Sequence, residues 1–296
     1  MSDLFNILIV GILLGGIYSL VSIGLNLIFG VIRVVNFAQG EFVMLGMYAT
    51  FAAFSFINLD PYLAIFIVFP LLFALGVLVQ RFIVQPLQGE PMMQVFATFG
   101  LLMVFQNVIL ALTRGAALNV SSPLSSLTFS VGTMQVSVVR LLALLAATLV
   151  AFGLQFALHH TLFGKAVRAV AQDRRAARLM GIDVERTYML TFGLGAALAG
   201  LAGALLTPIY TLSPQIGGNF IIAAFAVVVL GGLGSVWGAY LGGFLVGITE
   251  ALAGYYLDPA LKNAIWFLVF ITVLIIRPSG LFGLAGAEEF GLRGQE

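Results

Sequence analysis

From Thr187 to Thr249 the chain carries no charged residue, a stretch of 63 positions. At the rise of an α-helix that stretch is about 95 Å long, enough for about three crossings of a bilayer. No soluble domain can bury such a run. The composition agrees: 61% of the residues are hydrophobic and 8% are charged, where a soluble domain carries about 25% charged residues. The bilayer is therefore the solvent. The apolar runs are continuous and do not alternate with polar residues, which excludes a transmembrane barrel and leaves helices.

The other uncharged runs extend the pattern to an all-α polytopic transmembrane helix bundle. About nine spans are expected, with a range of 8–10: 5–30, 38–56, 62–80, 94–112, 138–158, 187–207, 219–232, 236–256 and 262–277. Pro208, Pro214, Gly217-Gly218 and the run 231–235 divide the long stretch into three. The seventh span is short enough to be re-entrant. The whole of 1–296 reads as a single transmembrane domain, with an outer loop at about 113–137 and an inner loop at about 159–186. The outer loop alternates around Gly132-Thr133, as a small β-hairpin does. The opening residues lack the basic region and the cleavage site of a signal peptide, so the first run reads as a retained span.

Orientation follows from the basic residues. With the N-terminus outside, Arg33, Arg81, Lys165, Arg168, Arg174, Arg175, Arg178, Arg186, Arg277 and Arg293 fall on one side, and Arg114, Arg140 and Lys262 on the other. Ten against three makes the first side cytoplasmic and puts the C-terminus there too.

Several chemistries find no support. There is no phosphate-binding Gly-x-x-x-x-Gly-Lys-Ser/Thr loop, so ATP hydrolysis would have to come from other subunits. The two histidines are adjacent, at 159 and 160, and no metal-ligand spacing occurs. There is no cysteine and no Gly-x-Ser-x-Gly elbow. The 13 basic and 12 acidic residues nearly cancel, which points to no nucleic-acid partner.

The inner loop reads as one surface helix from Lys165 to Met180, built of good helix formers. Val167, Val170, Ala171 and Arg174 fall on one stripe, which Ala177 and Gly181 extend. Gly181 suits a left-handed C-cap, and Asp183 suits the N-cap of the next helix. Two readings stand: a basic loop that merely obeys the positive-inside rule, or a helix that docks into a partner.

This segment resembles the coupling loop of ABC importer permeases. The chain as a whole resembles the LivH type of branched-chain amino acid permease. The resemblance rests on Gly15-Gly16-Ile-Tyr-Ser-Leu-Val-Ser-Ile-Gly24, Asn36-Phe-Ala-Gln-Gly-Glu41 before Gly46-Met-Tyr-Ala49, and Gly231-Gly-Leu-Gly-Ser-Val-Trp-Gly238. It rests further on Gly242-Gly243 and the closing Arg277-Pro-Ser-Gly-Leu-Phe-Gly283. Gln172-Asp173 stands where a general coupling motif often has Glu-Ala. The resemblance implies a second related permease chain, two cytoplasmic ATPase subunits that hold the ATP and Mg, and an extracytoplasmic substrate-binding protein. This chain would bind no cofactor and would lie in the bacterial inner membrane. Ala171, Arg174, Arg175, Arg178 and Gly181 would then lie in or beside the ATPase contact.

Polar groups inside a bilayer face a cavity or a neighbouring helix. Asn36, Gln39, Glu41, Gln94 and Thr98 are the candidates for a substrate pathway, with the breaks at 30–40 and 231–238 as places where helix ends could meet an amino acid. Glu41 near the inner end and Glu250 near the outer end could simply reach water. Gly234, Gly238 and Gly242 repeat every four residues, as do Gly195, Ala199 and Gly203. Such faces let helices pack backbone to backbone, and smooth faces could also slide. The alternative function is a self-contained secondary transporter or facilitator for a small solute. Against it stands the absence of an ionisable pair at mid-membrane.

Overall fold

Apolar length decides which segments become spanning helices. The computed structural model describes residues 2–122, 124, 127–131, 134–257, 262–277 and 279–283. Arg293, Pro278 and the Gly132-Thr133 turn lie outside the described residues. Among the described residues, seven helices are long and apolar enough to cross a membrane and two apolar helices are shorter. The long ones include α1 (Ser2–Ile32), α2 (Gln39–Ile57), α3 (Ile65–Val79) and α4 (Pro91–Thr113). They continue with α5 (Val138–His160), α8 (Val184–Leu206) and α10 (Val236–Tyr256). The shorter pair are α9 (Ile216–Gly231) and α11 (Lys262–Ile276). The helix that begins as α3 runs past Arg81 as a π turn, Gln80–Val84, and a 3-10 turn, Gln85–Leu87, seven residues beyond the expected end. One basic residue at a membrane surface does not stop a helix, because its stem can lie along apolar surface. The outer loop forms the expected antiparallel hairpin, β1 (Thr128–Val131) on β2 (Met134–Ser137).

The inner segment departs from expectation. It is two helices, α6 (Leu162–Gln172) and α7 (Arg174–Leu179), not one. Asp173 is extended, and its carboxylate accepts the amides of Arg175 and Ala176 at 2.7 and 3.0 Å. An aspartate that can cap a helix competes with continuing one. The break cancels the single stripe: Val167, Val170 and Ala177 are buried, while Arg174 and Gly181 are exposed. Beyond α7 the ending is a Schellman motif. Gly181 has φ +81°, and the Ile182 amide donates to the Ala177 carbonyl at 3.1 Å. Asp183 then caps α8 through the Arg186 amide at 2.9 Å.

α8 is the axis of the bundle and is buried along nearly its whole length. α1, α2 and α3 pack around it, and their small residues set the distances. A Cβ on Gly195 would lie 2.6 Å from Ile28 Cγ1, and one on Gly24 would lie 2.6 Å from the Gly195 carbonyl oxygen. Ala199 is fully buried, and a Cβ on Gly203 would collide with the backbone of Val43.

The tightest seam joins α1 to α10. Gly11, Gly15 and Ser19 on one helix face Gly243 and Gly247 on the other. Asn26 closes the seam at the α9–α10 turn. Its Nδ2 donates to the Ser235 carbonyl at 2.5 Å, and its Oδ1 accepts the Gly234 amide at 2.6 Å. This holds the α9–α10 turn, where Gly232 and Gly234 have φ of +106° and +83°. Gly231 and Gly238 bring the two arms of that turn into backbone contact, and Gly242 faces Val227 and Gly231.

Candidate functional site: two helix starts inside the membrane

Two crossing segments are interrupted, and both restart within the bundle. α1 ends at Ile32, and residues 33–38 are not helical. Arg33 turns the chain with φ +61°, and its Nη2 donates to the Ala171 carbonyl at 3.1 Å, at the end of α6. Six residues later Gln39 Nε2 donates to the Gly195 carbonyl at 3.2 Å. Gly195 is halfway along α8. Six extended residues cover about 20 Å, and the first half of α8 rises about 17 Å, so the distances agree. The segment enters from the α6 end of the bundle, and α2 begins halfway along α8.

The second interruption comes from the other side. After α8 ends at Leu206, residues 207–215 turn back, held by Leu212 paired with Leu118 of the outer loop. α9 then starts at Ile216. Its Gly217 meets Gly40 of α2 backbone to backbone: a Cβ on Gly217 would lie 2.7 Å from the Gly40 carbonyl oxygen. Two helix N-termini, each with a positive dipole end, therefore meet inside the bundle, near the middle of α8.

Four of the five pathway candidates gather here. Asn36 Nδ2 donates to Gln39 Oε1 at 3.2 Å, and Asn36 Oδ1 accepts the Ala38 amide at 3.1 Å. Thr98 of α4 accepts the Phe37 amide at 3.3 Å, and its hydroxyl lies within donating distance of the Val35 carbonyl at 3.2 Å and the Val95 carbonyl at 3.0 Å. Glu41 Oε1 accepts Gln106 Nε2 at 2.9 Å. Gln94 does not join them: its amide donates to the Val84 carbonyl at 3.3 Å and ties α4 to the end of the π turn. The expectation that Glu41 and Glu250 reach water fails. Glu41 is 0% exposed and Glu250 7%. Glu250 lies with Oε2 2.5 Å from the Tyr18 hydroxyl that donates to it. The interruption before Gln39 is the reason for Glu41: its helix begins deep, so a residue two positions in is deeper than sequence position suggests.

Aromatic rings cluster just before the α2 start. Phe37 packs against Phe225 of α9 at 5.3 Å and Phe99 of α4 at 6.3 Å between ring centroids. The sequence reading missed this trio, because nothing local connects three phenylalanines so far apart in the chain.

At the Arg33 end of the bundle, α6 and α7 rest on α1, α5 and α8, with Val167, Val170 and Ala177 buried there. Arg174, Arg175, Arg178 and Gly181 point to solvent, and Ala171 is half-buried with its carbonyl taken by Arg33. The Ala176 and Arg175 amides hold the Asp173 carboxyl below the usual carboxylate range. Sequence reasoning missed Leu179 and Met180, which are 89% and 81% exposed beside Arg178. Two large apolar residues directly after an arginine cluster were the available signal. Among the described residues, no group of three His, Cys, Asp or Glu side chains could hold a metal.

A polytopic bundle whose crossing helices restart inside the bundle, facing polar side chains, defines the class of membrane transport proteins. The chain belongs to the family described as branched-chain amino acid transport system permease component, whose model matches residues 7–276. The resemblance read from the sequence is thereby borne out. The chain is 32% identical to the high-affinity branched-chain amino acid transport system permease protein LivH of Escherichia coli, across 98% of this chain and 97% of that protein. It is 31% identical to the corresponding BraD protein of Pseudomonas aeruginosa, across 95% and 96%. A probable LivH of Methanocaldococcus jannaschii is 31% identical across 92% and 90%. No solved structure matches the chain.

Proposed function

We propose that this chain is the translocating subunit of an ATP-driven importer for branched-chain or other neutral amino acids. The observation that carries the reading is the meeting of the α2 and α9 starts inside the bundle. Such ends offer backbone groups to a zwitterion that has shed its water. Phe37, Phe99 and Phe225 flank that point with apolar surface suited to a branched side chain. Substrate passes Asn36, Gln39, Glu41 and Thr98, while Gln94 supports α4.

The chain acts as one permease domain and catalyses nothing alone. A second related permease chain completes the pathway, and an extracytoplasmic binding protein supplies the substrate. Two cytoplasmic ATPase subunits bind ATP and Mg and contact Ala171, Arg174, Arg175, Arg178 and Gly181, with Leu179 and Met180 as apolar anchors. The protein lies in the inner membrane with its N-terminus outside and its C-terminus in the cytoplasm, as the ten-to-three division of basic residues supports.

The test is mild affinity purification of the tagged chain from its own membrane, with mass spectrometry of what accompanies it. Two ATPase subunits and a related permease are expected. A chain that purifies alone and moves leucine alone in liposomes would overturn the reading in favour of a secondary transporter.

A further inference from the structure

The helix starts at Gly40 and Gly217 already face a carboxyl group, and it belongs to the protein. The Glu41 carboxylate lies against the first turn of α9: a Cβ on Gly217 would come 2.8 Å from Glu41 Oε1. That oxygen accepts Gln106. The other, Oε2, is buried and has no hydrogen-bond partner, although the residue is 0% exposed. A buried carboxyl oxygen without a partner among the described residues is an expensive group to keep. The two positive helix ends stabilise the charge but leave the lone pairs of Oε2 unused.

We infer that Glu41 Oε2 is the acceptor for the ammonium group of a zwitterionic amino acid passing between α2 and α9. This rests on the reading of the chain as an amino-acid permease and assigns the polarity of its site. Helix ends alone would draw the substrate carboxylate. With Glu41 lying between them, a second carboxylate is repelled at that point and a cation is drawn in. Gly40 and Gly217 have no side chains, so parting of the two helices uncovers the Glu41 carboxyl group, whose Oε1 lies against Gly217. An ammonium group carries three donors and no acceptor, which matches an acceptor-only oxygen. The substrate therefore crosses amine towards Glu41, with its carboxylate turned away.

The experiment uses the complete importer in proteoliposomes, with labelled leucine as the probe and uptake normalised to assembled complex. Glu41→Gln keeps shape and volume and removes the charge. At least a tenfold loss of uptake is expected. In parallel, Gly218→Cys supplies the only thiol of the chain, at a position where a Cβ meets nothing within 4 Å. Its maleimide labelling rate is measured with and without turnover. If labelling ignores turnover, leucine does not pass this point, and the pathway reading falls together with the inference. If labelling responds but Glu41→Gln imports leucine at the normal rate, the ammonium assignment alone is overturned. Should Glu41→Gln not assemble, Glu41→Asp decides: the shortened carboxylate is expected to raise KM for leucine severalfold, and an unchanged KM would overturn the assignment.

Discussion

Replacing Gly15 by alanine adds one methyl group at the seam between α1 and α10. The new Cβ would lie 2.6 Å from Phe244 Cα, 2.9 Å from Phe244 Cδ1 and 3.0 Å from the Gly243 carbonyl oxygen. Carbon atoms prefer about 3.5–4.0 Å, so the shortfall is about 1 Å. The nearest atom is backbone, and no rotamer can move it. The two helices must part along a seam that also carries Gly11 against Ile248 and Gly247 against Gly15. A gap of that size forfeits about a quarter to a half of each dispersion contact, and overpacking of this kind costs about 1–3 kcal/mol. Gly254, on the same α10, meets nothing within 4 Å. Alanine there adds helix propensity worth up to about 1 kcal/mol, a gain that shrinks in a bilayer, where helices persist after the bundle separates. Thermal unfolding in detergent, followed by the fluorescence of Trp237 and Trp266, compares the two. Gly15→Ala is expected to melt several degrees below wild type, and Gly254→Ala at or just above it. Equal melting temperatures would refute the claim that backbone contact sets the α1–α10 distance.

Three further outcomes are expected. Asn26→Ala removes two part-buried hydrogen bonds, to the Gly234 amide and the Ser235 carbonyl, and at about 0.5–1.5 kcal/mol for each a loss of about 1–3 kcal/mol is expected in the same unfolding assay. Leu179→Asp changes an exposed residue, so stability should stay within about 0.5 kcal/mol, while co-purification of the ATPase subunits falls severalfold; retained co-purification would remove Leu179 from the contact. The folded carboxyl of Asp173 titrates below its unfolded value, so its capping contribution is complete above the unfolded carboxylate range and is lost as pH falls through the depressed value. Hydrogen exchange at Arg175 and Ala176, corrected for intrinsic rate, should therefore be flat from neutral pH to about 5 and rise only in more acid conditions, whereas Asp173→Ala should raise it at every pH.

The apolar helices were legible because hydropathy registers length, and each crossing needs a minimum of it. The ends of the inner segment were legible too, since Gly181 and Asp183 are local signals for local geometry. Depth was not. Nothing in residues 33–38 says whether a non-helical stretch lies on the surface or folds back, and Arg33 argued for the surface. The answer is set by Gln39 reaching Gly195, a partner 156 positions away. The same holds for Gly40 with Gly217, and for the burial of Glu41 that follows. The break at Asp173 was hidden for the opposite reason: every neighbour favours a helix, and a single capping side chain outweighs them. The seam of Gly11, Gly15, Gly243 and Gly247 was overlooked in favour of the more regular 234, 238, 242 repeat, because spacing within one helix does not reveal which face finds a partner.

The joint at Asp173 has a mechanical consequence. α7 is a stiff arm of six residues, about 9 Å long. A swing of about 20° about the joint would carry its tip at Leu179 through about 3 Å, while the aspartate's bonds to the Arg175 and Ala176 amides travel with the arm. Displacement at the tip can thus be absorbed at a single residue. What reaches the membrane is only the force that outlasts this compliance, delivered through α6 and the Ala171 carbonyl to Arg33, where the interrupted first crossing begins. In the importer proposed above, small tremors of the ATPase subunits would be damped there, and a full stroke would be passed on.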